Sequence, residues 1–358
     1  MTSTPGNPLT SSFGRARPLR RYTSAVDGTG ESEGERTYQA APGVIGVDTR
    51  MAGRFLVTSG YLLPGDEPAL VETGPTTSAD AVLEGLASLG LDATDLAHIV
   101  VTHIHLDHAG GVGRMARHFP AATVWVHDRG APHLADPTRL VQSAGRVYGE
   151  QRLQELFGPV DPVPQDRLRS VDDGDVIRLG GRALDVLYTP GHASHHVALV
   201  DSESGAVFTG DALGIHFPDA RVLRPATPPP DIDVELGVES IERIRSRAES
   251  VLLFSHFGPV SDIDALCSLA VGRLLKWAGI VRQAMDGTDD IDRIAELLDL
   301  GTADEFDQPE RSGSVDRYRY EVLGSMKMNA MGLVRYWRKR EEREEREAEA
   351  ARGEAPPT

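Results

Sequence analysis

Between Thr102 and Gly111 the chain reads Thr-His-Ile-His-Leu-Asp-His-Ala-Gly-Gly, with three imidazoles and a carboxylate between His103 and His108. Such a density of titratable groups is costly to bury unless the groups share a cation. Ahead of it, Ala97 to Val101 is short, largely apolar and partly β-branched, which reads as a buried strand whose carboxyl end delivers Thr102 and His103. On a loop leaving a strand, alternate positions share a face until the chain turns. His103 and His105 then address one centre while Asp107 and His108 address an adjacent one. An exposed polar loop, or a histidine cluster without metal, would explain one such histidine but not the whole pattern.

Three later segments repeat the arrangement of a candidate ligand at a strand exit. Thr189-Pro190-Gly191-His192 follows an apolar run, as do Phe208-Thr209-Gly210-Asp211 and Phe254-Ser255-His256-Phe257-Gly258. Each carries a glycine that lets the backbone pack close to a centre. The donors on offer are imidazole nitrogen and carboxylate oxygen, which suit zinc, iron or manganese. With Cys267 as the single cysteine, a thiolate-rich zinc site and an intrachain disulfide are both excluded.

The rest of the chain supplies a frame for these exits. Residues 1–40 are polar, glycine-rich and without apolar period, and read as a flexible leader. From Gly43 come short runs at Val44–Val47, Phe55–Val57, Tyr61–Leu63 and Ala69–Val71, read as consecutive antiparallel strands. Helical spacing follows at Thr77–Leu89, then at 130–158 and 231–249, with Pro228-Pro229-Pro230 as a stiff connector. Beyond residue 262 the strand texture stops. A helical appendage is expected over 263–340 and a charged flexible tail over 341–358.

Hydrophobic residues at 40% and charged residues at 25% match ordinary globular usage and argue against a disordered or membrane-embedded chain. A net charge of -17 repels phosphate backbones and anionic bilayers, so neither nucleic acid nor membrane is an expected partner. No apolar run is long enough to span a bilayer, and the first residues lack a secretory signal. A cytoplasmic protein acting on a small-molecule substrate is the expectation; the sequence carries no signal for oligomeric state.

From about Gly43 to Val260 the chain resembles the metallo-β-lactamase superfamily. The resemblance implies an α/β fold, an αββα sandwich over 41–262 with two metals at one edge, carrying a C-terminal helical appendage. It also implies that His103, His105 and His192 bind the first metal, that Asp107, His108 and His256 bind the second, and that Asp211 bridges them. The pattern is closer to the glyoxalase II and acyl-homoserine lactonase branches than to true β-lactamases, which commonly place Cys or Ser where Asp211 stands. One departure is Glu72-Thr73-Gly74, where the family's strand ends in Asp-Thr-Gly.

Two divalent ions, foremost zinc, would lower the pKa of a shared water and present hydroxide to an ester, thioester or lactone carbonyl, with Asp107 as the catalytic carboxylate that orients it or takes its proton. Alternatives are a phosphodiesterase or nuclease on the same metal pair, a mononuclear iron dioxygenase of the persulfide type, and a noncatalytic metal-binding protein. His195 and His196 read as supporting residues, His216 as either substrate-facing or surface, and His98, His118, His127 and His133 as ordinary fold residues. Tyr318, Tyr320, Met326, Met328 and Tyr336 are candidates to line the cleft, though core packing between helices explains them more simply.

Overall fold

The computed structural model describes residues 36–218, 222–305 and 322–352. Its first sheet begins with β1 (Thr37–Ala41), β2 (Val44–Asp48), β3 (Ser59–Leu63) and β4 (Ala69–Val71), paired antiparallel in chain order. Then β5 (His98–Val100), β6 (Thr123–His127) and β7 (Leu168–Val171) extend it in parallel. Parallel neighbours need crossovers, and these are supplied by α1 (Ala79–Ser88), by α2 (Leu106–Ala109) with α3 (Val112–His118), and by α4 (Ala131–Ala135), α5 (Thr138–Tyr148) and α6 (Glu150–Phe157).

The second sheet runs antiparallel through β8 (Val176–Leu179), β9 (Arg182–Tyr188), β10 (Val197–Asp201) and β11 (Val207–Gly210). A small hairpin of β12 (Ile215–Phe217) and β13 (Val222–Arg224) stands apart, and α7 (Val234–Arg247) leads to β14 (Leu252–Phe254), parallel to β11. β15 (Gly258–Val260) closes that edge, and α8 (Ile263–Met285), α9 (Ile291–Gly301) and α10 (Met326–Arg352) follow.

The layering follows from alternation along single strands. In β5, Val100 points into the core between the sheets while Ile99 points to the opposite face, against Val82, Leu86 and Met115 of α1 and α3. In β10, Val197 and Leu199 join the core between the sheets, and Ala198 and Val200 face Ile241, Ile244 and Trp277 of α7 and α8. Strands with apolar residues on both faces must be covered on both faces, which yields helix, sheet, sheet, helix. After residue 262, α8 packs on α7, and α9 and the last helix, α10, pack on α8, with Leu298 of α9 and Leu333 of α10 buried there.

Several expectations are corrected. Phe55–Val57 is not a strand: Asp48 accepts the backbone N–H of Arg50 and of Leu56, each at 2.9 Å, and curls 50–57 into a loop with Leu56 at φ 60°. The last residues of the expected leader, from Thr37, belong to β1, whereas residues 1–35 lie outside the described residues. Nor is the charged segment after 340 a flexible tail as far as Arg352, because α10 carries it as helix. Glu, Arg and Ala are strong helix formers, and Arg340–Glu344 pairs at 2.8 Å with i,i+4 spacing. The region 130–158 is helical as expected, divided into three helices by breaks around Pro137 and at Gly149, whose φ is 77°. Strands β7, β8, β12, β13 and β15 were not anticipated; with three or four residues each, they carry too little periodicity to read.

Candidate metal centre

Every candidate ligand leaves the carboxyl end of a strand or the turn next to it, and these ends share one edge of the sandwich. His103 and His105 follow β5; Asp107 and His108 lie on α2 directly after them. His192 sits in the loop after β9, Asp211 after β11, and His256 between β14 and β15. The start of α2 turns the chain between His105 and Asp107, and it keeps His108 beside His103, their ring centroids 4.0 Å apart.

The seven side chains converge. Three triads have ligand atoms all within 4.8 Å of one another: His103, His105 and His192; His103, His108 and Asp211; and Asp107, His108 and His256. The inner nitrogens face one another across short gaps, His105 Nδ1 lying 3.1 Å from His103 Nε2 and 2.8 Å from His192 Nε2. His108 Nε2 and His256 Nε2 are 3.0 Å apart. Asp211 spans the groups, with Oδ1 3.3 Å from His108 Nε2 and 3.4 Å from His256 Nε2, and Oδ2 3.6 Å from His192 Nε2.

Outer nitrogens decide which inner ones carry lone pairs. The Nδ1–H of His108 donates to Glu72 Oε2, that of His192 to the Ala226 carbonyl, and that of His256 to the Val57 carbonyl, each at 2.9 Å. His103 Nδ1 is 3.0 Å from Thr102 Oγ1. With the proton held outside, each Nε2 is left as a donor toward the centre, the usual arrangement behind metal-binding imidazoles. Asp211 Oδ1 is buried yet makes no well-formed hydrogen bond, a state stable only if something cationic meets it. The donor set and this orphaned oxygen fit divalent ions.

Electrostatics point the same way. Burial holds His103, His105 and His192 below the ordinary imidazole range, so they are neutral and able to ligate at pH 7. For His108 and His256 burial acts downward too, but the carboxylates of Asp211 and Asp107 override it and raise both. Burial would raise Asp107, yet His108 and His256 bring it down to about 2, and Asp211 is held well below the carboxylate range by the same imidazoles and His192. In the metal-free chain protons on His108 and His256 thus supply the positive charge that the carboxylates demand. The sign follows: ligation needs their lone pairs, so metal uptake at neutral pH should release protons, and apparent affinity should weaken as pH falls and strengthen as it rises. Calorimetric titration in buffers of different ionisation enthalpy checks this; uptake without proton release would contradict it.

Other residues hold the ligands in place. Glu72, at the end of β4 with φ 66°, accepts the Thr102 N–H at 2.8 Å through Oε1 and His108 through Oε2, so one carboxylate braces both ends of the His-rich segment. His196 is fully buried; its Nε2 accepts the Asp211 N–H at 3.0 Å and its Nδ1 meets Thr189 Oγ1 at 2.8 Å. Gly210 has φ 50°, and a Cβ there would come 2.7 Å from Thr102 Oγ1, so the approach of β11 to the ligand loop requires glycine. The loop curled by Asp48 ends at Val57, which explains how an unlikely-looking turn supports His256.

The edge opens into a cavity of about 370 Å³, with His105, Asp107, His192 and Asp211 among the residues lining it. Met328 lines it, against the simpler expectation of core packing, while Tyr336 and Met326 belong to the helical core in line with that expectation, and Tyr318 and Tyr320 lie outside the described residues. His195 faces the cavity, and so does His133, for which the sequence predicts an ordinary fold role. Arg129 and Arg139 line it too and were not anticipated. His216 instead packs behind the ligand loop, with Nδ1 3.2 Å from the Phe257 carbonyl oxygen.

An αββα sandwich with this donor set at one edge defines a metallohydrolase class of fold. Residues 52–256 match the profile of the Metallo-beta-lactamase superfamily, and the chain belongs to that family. A metallo-beta-lactamase fold-containing protein, ST1585 of Sulfurisphaera tokodaii, is 33% identical over 170 residues, covering 46% of this chain and 62% of its own. Its crystal structure matches with a TM-score of 0.57 over 77% of this chain and 92% of that one. Hydroxyacylglutathione hydrolase of Rhodopseudomonas palustris is 35% identical over 156 residues, 43% of this chain and 47% of its own, so the match spans about half the length of that relative. Atrochrysone carboxyl ACP thioesterase of Emericella nidulans is 24% identical over 309 residues, 84% of this chain and 85% of its own.

Proposed function

We propose that this chain is a metal-dependent hydrolase that holds two divalent ions, zinc foremost, and cleaves a thioester, ester or lactone of a small molecule. The observation that carries the reading is Asp211, whose two oxygens face different imidazole groups and so can bridge. The likeness to a thioesterase and to a hydroxyacylglutathione hydrolase supports the bond type. When bound, such ions supply Lewis acidity and acidify water.

The chain's own residues do the rest. His103, His105 and His192 would hold one ion and His108, His256 and Asp107 the other, with Asp211 between. Asp107, which reaches the cavity beside His108 and His256, would orient the attacking water or take its proton. Apolar Leu106, Phe157 and Ile215 around the edge thin out water near the reacting carbonyl. A cavity of about 370 Å³ lies within the size range of small-molecule sites, which together with the net charge of -17 disfavours a nucleic-acid substrate.

Elemental analysis of purified protein, paired with turnover of thioester, lactone and phosphodiester panels before and after chelation, tests the reading. The expected result is about two ions per chain, the load of a two-metal site, and carbonyl hydrolysis lost on chelation and regained on reloading. A chain that takes up no metal would overturn it, and one iron with oxygen consumption would favour the dioxygenase alternative.

A further inference from the structure

Two features of the cavity are left unused by the hydrolytic centre. One is α5, of which no residue is fully buried. Leu140, Ala144 and Val147 recur at i, i+4 and i+7, a stripe that a globular protein ordinarily turns onto its core. Here all three line the cavity, with Leu140 and Ala144 also packed against the neighbouring core. The stripe is therefore a wall, half-buried where the floor residues Leu106 and Phe157 are buried at 4% and 1% exposure.

The other feature is charge. Arg129 and Arg139 line the same cavity and are exposed, which puts them toward its mouth. Arg129 is tied down, its Nη1 donating to the Tyr188 hydroxyl at 3.1 Å and the Ser194 carbonyl at 3.4 Å. Arg139 makes no hydrogen bond or ion pair among the described residues, and feels the nearby Asp136 only through space. The cavity acid outside the metal edge, Asp231, is engaged by the Ser194 hydroxyl at 2.5 Å. A chain of net charge -17 that nonetheless turns an uncommitted guanidinium to its cavity mouth has a local preference for anions.

We propose that the cavity selects an amphiphilic thioester or ester, with an apolar acyl group along Leu140, Ala144 and Val147 and a carboxylate or phosphate on the thiol or alcohol half held at Arg139. From Arg139 to Val147 the helix rises about 12 Å at 1.5 Å per residue, a reach that suits a medium-length acyl compound. Water then adds across the scissile bond: oxygen joins the acyl carbon, the C–S or C–O bond breaks, and the departing sulfur or oxygen takes the proton. The proposal rests on the hydrolase reading, and the test separates the two.

Two thioethers that cannot be hydrolysed serve as probes, S-octyl-3-mercaptopropionate and its neutral N-methylamide, with the matching S-octanoyl thioesters for kinetics. Calorimetric titration of the metal-loaded full chain should show the anionic thioether binding about tenfold tighter, the equivalent of one good charged contact. That preference should fall to about one in Arg139→Gln, persist in Arg146→Gln on the same helix, and weaken with added salt. For the thioesters it should be carried by KM rather than kcat. Replacing the octyl chain by ethyl should weaken binding, and Val147→Asp should erase that chain-length dependence. Equal binding of both thioethers by the unaltered chain, or a preference that survives Arg139→Gln, would overturn the proposal. If the preference is present and Arg139-dependent but no carbonyl substrate is turned over, the cavity assignment stands and the hydrolase reading falls.

Discussion

Asp211→Ala should leave the folded chain with about one firmly bound metal ion in place of two and lower hydrolysis roughly a thousandfold, since loss of a bridging ligand removes several kcal/mol of charge stabilisation. The geometry behind this is the reach of one side chain into two groups, Oδ1 toward His108 and His256 and Oδ2 toward His192. Asp211→Asn separates charge from shape, because the amide keeps the size but offers one oxygen. An Asn variant with two ions and ordinary turnover would show that Asp211 does not bridge. The backbone N–H of residue 211 still bonds His196 in both variants, so the local fold should survive, and far-ultraviolet circular dichroism provides the control.

Glu72→Ala should weaken metal affinity about 10- to 100-fold while leaving all seven candidate ligands in the chain, the range expected when a partner behind a ligand is lost. Glu72 acts through His108: its Oε2 holds the Nδ1–H, and its Oε1 pins the Thr102 N–H one residue before His103. Removing it frees the ring to rotate and leaves a buried N–H unpaired. A merely structural role would lower the unfolding temperature equally with and without metal. A positioning role instead predicts a larger loss in the metal-loaded chain, where His108 is under load. Glu72→Gln should fall between wild type and Ala, since one amide oxygen can serve one of the two donors. Glu72→Asp, which restores the family's Asp-Thr-Gly, should recover less than its charge suggests, because the β4 end here is spaced for the longer side chain. Metal titration by competition with a chromogenic chelator reads all three.

How much of this was legible beforehand differs between the ligands and what holds them. The H-x-H-x-D-H segment and the residues His192, Asp211 and His256 stand at strand exits that short apolar runs announce, and the αββα layering and the grouping into one centre are what the resemblance carried by those residues implies. Glu72 was visible only as a departure from a pattern; its two hydrogen bonds were not. The loop at 50–57 was misread as a strand because its apolar residues match a strand's composition, while the Asp48 contacts that bend it depend on backbone geometry. The cavity wall was missed for a related reason. A stripe of Leu140, Ala144 and Val147 looks the same in sequence whether it faces a core or an open space.

What the sequence by itself determined is therefore the local chemistry: which donors exist, that sulfur is not among them, and that each follows a strand. Those properties depend on residue type and a period of two or three to four, which a linear text preserves. Only the tertiary structure decided that the Val57 carbonyl would meet His256 across 199 positions, that Ala226 would orient His192 across 34, and that Arg139 would stand at the mouth of the same cavity. Such contacts arise from the packing of two sheets and their covering helices, where side chains distant along the chain are brought within hydrogen-bond reach by the burial of apolar faces that carry no record of which polar partners will arrive beside them.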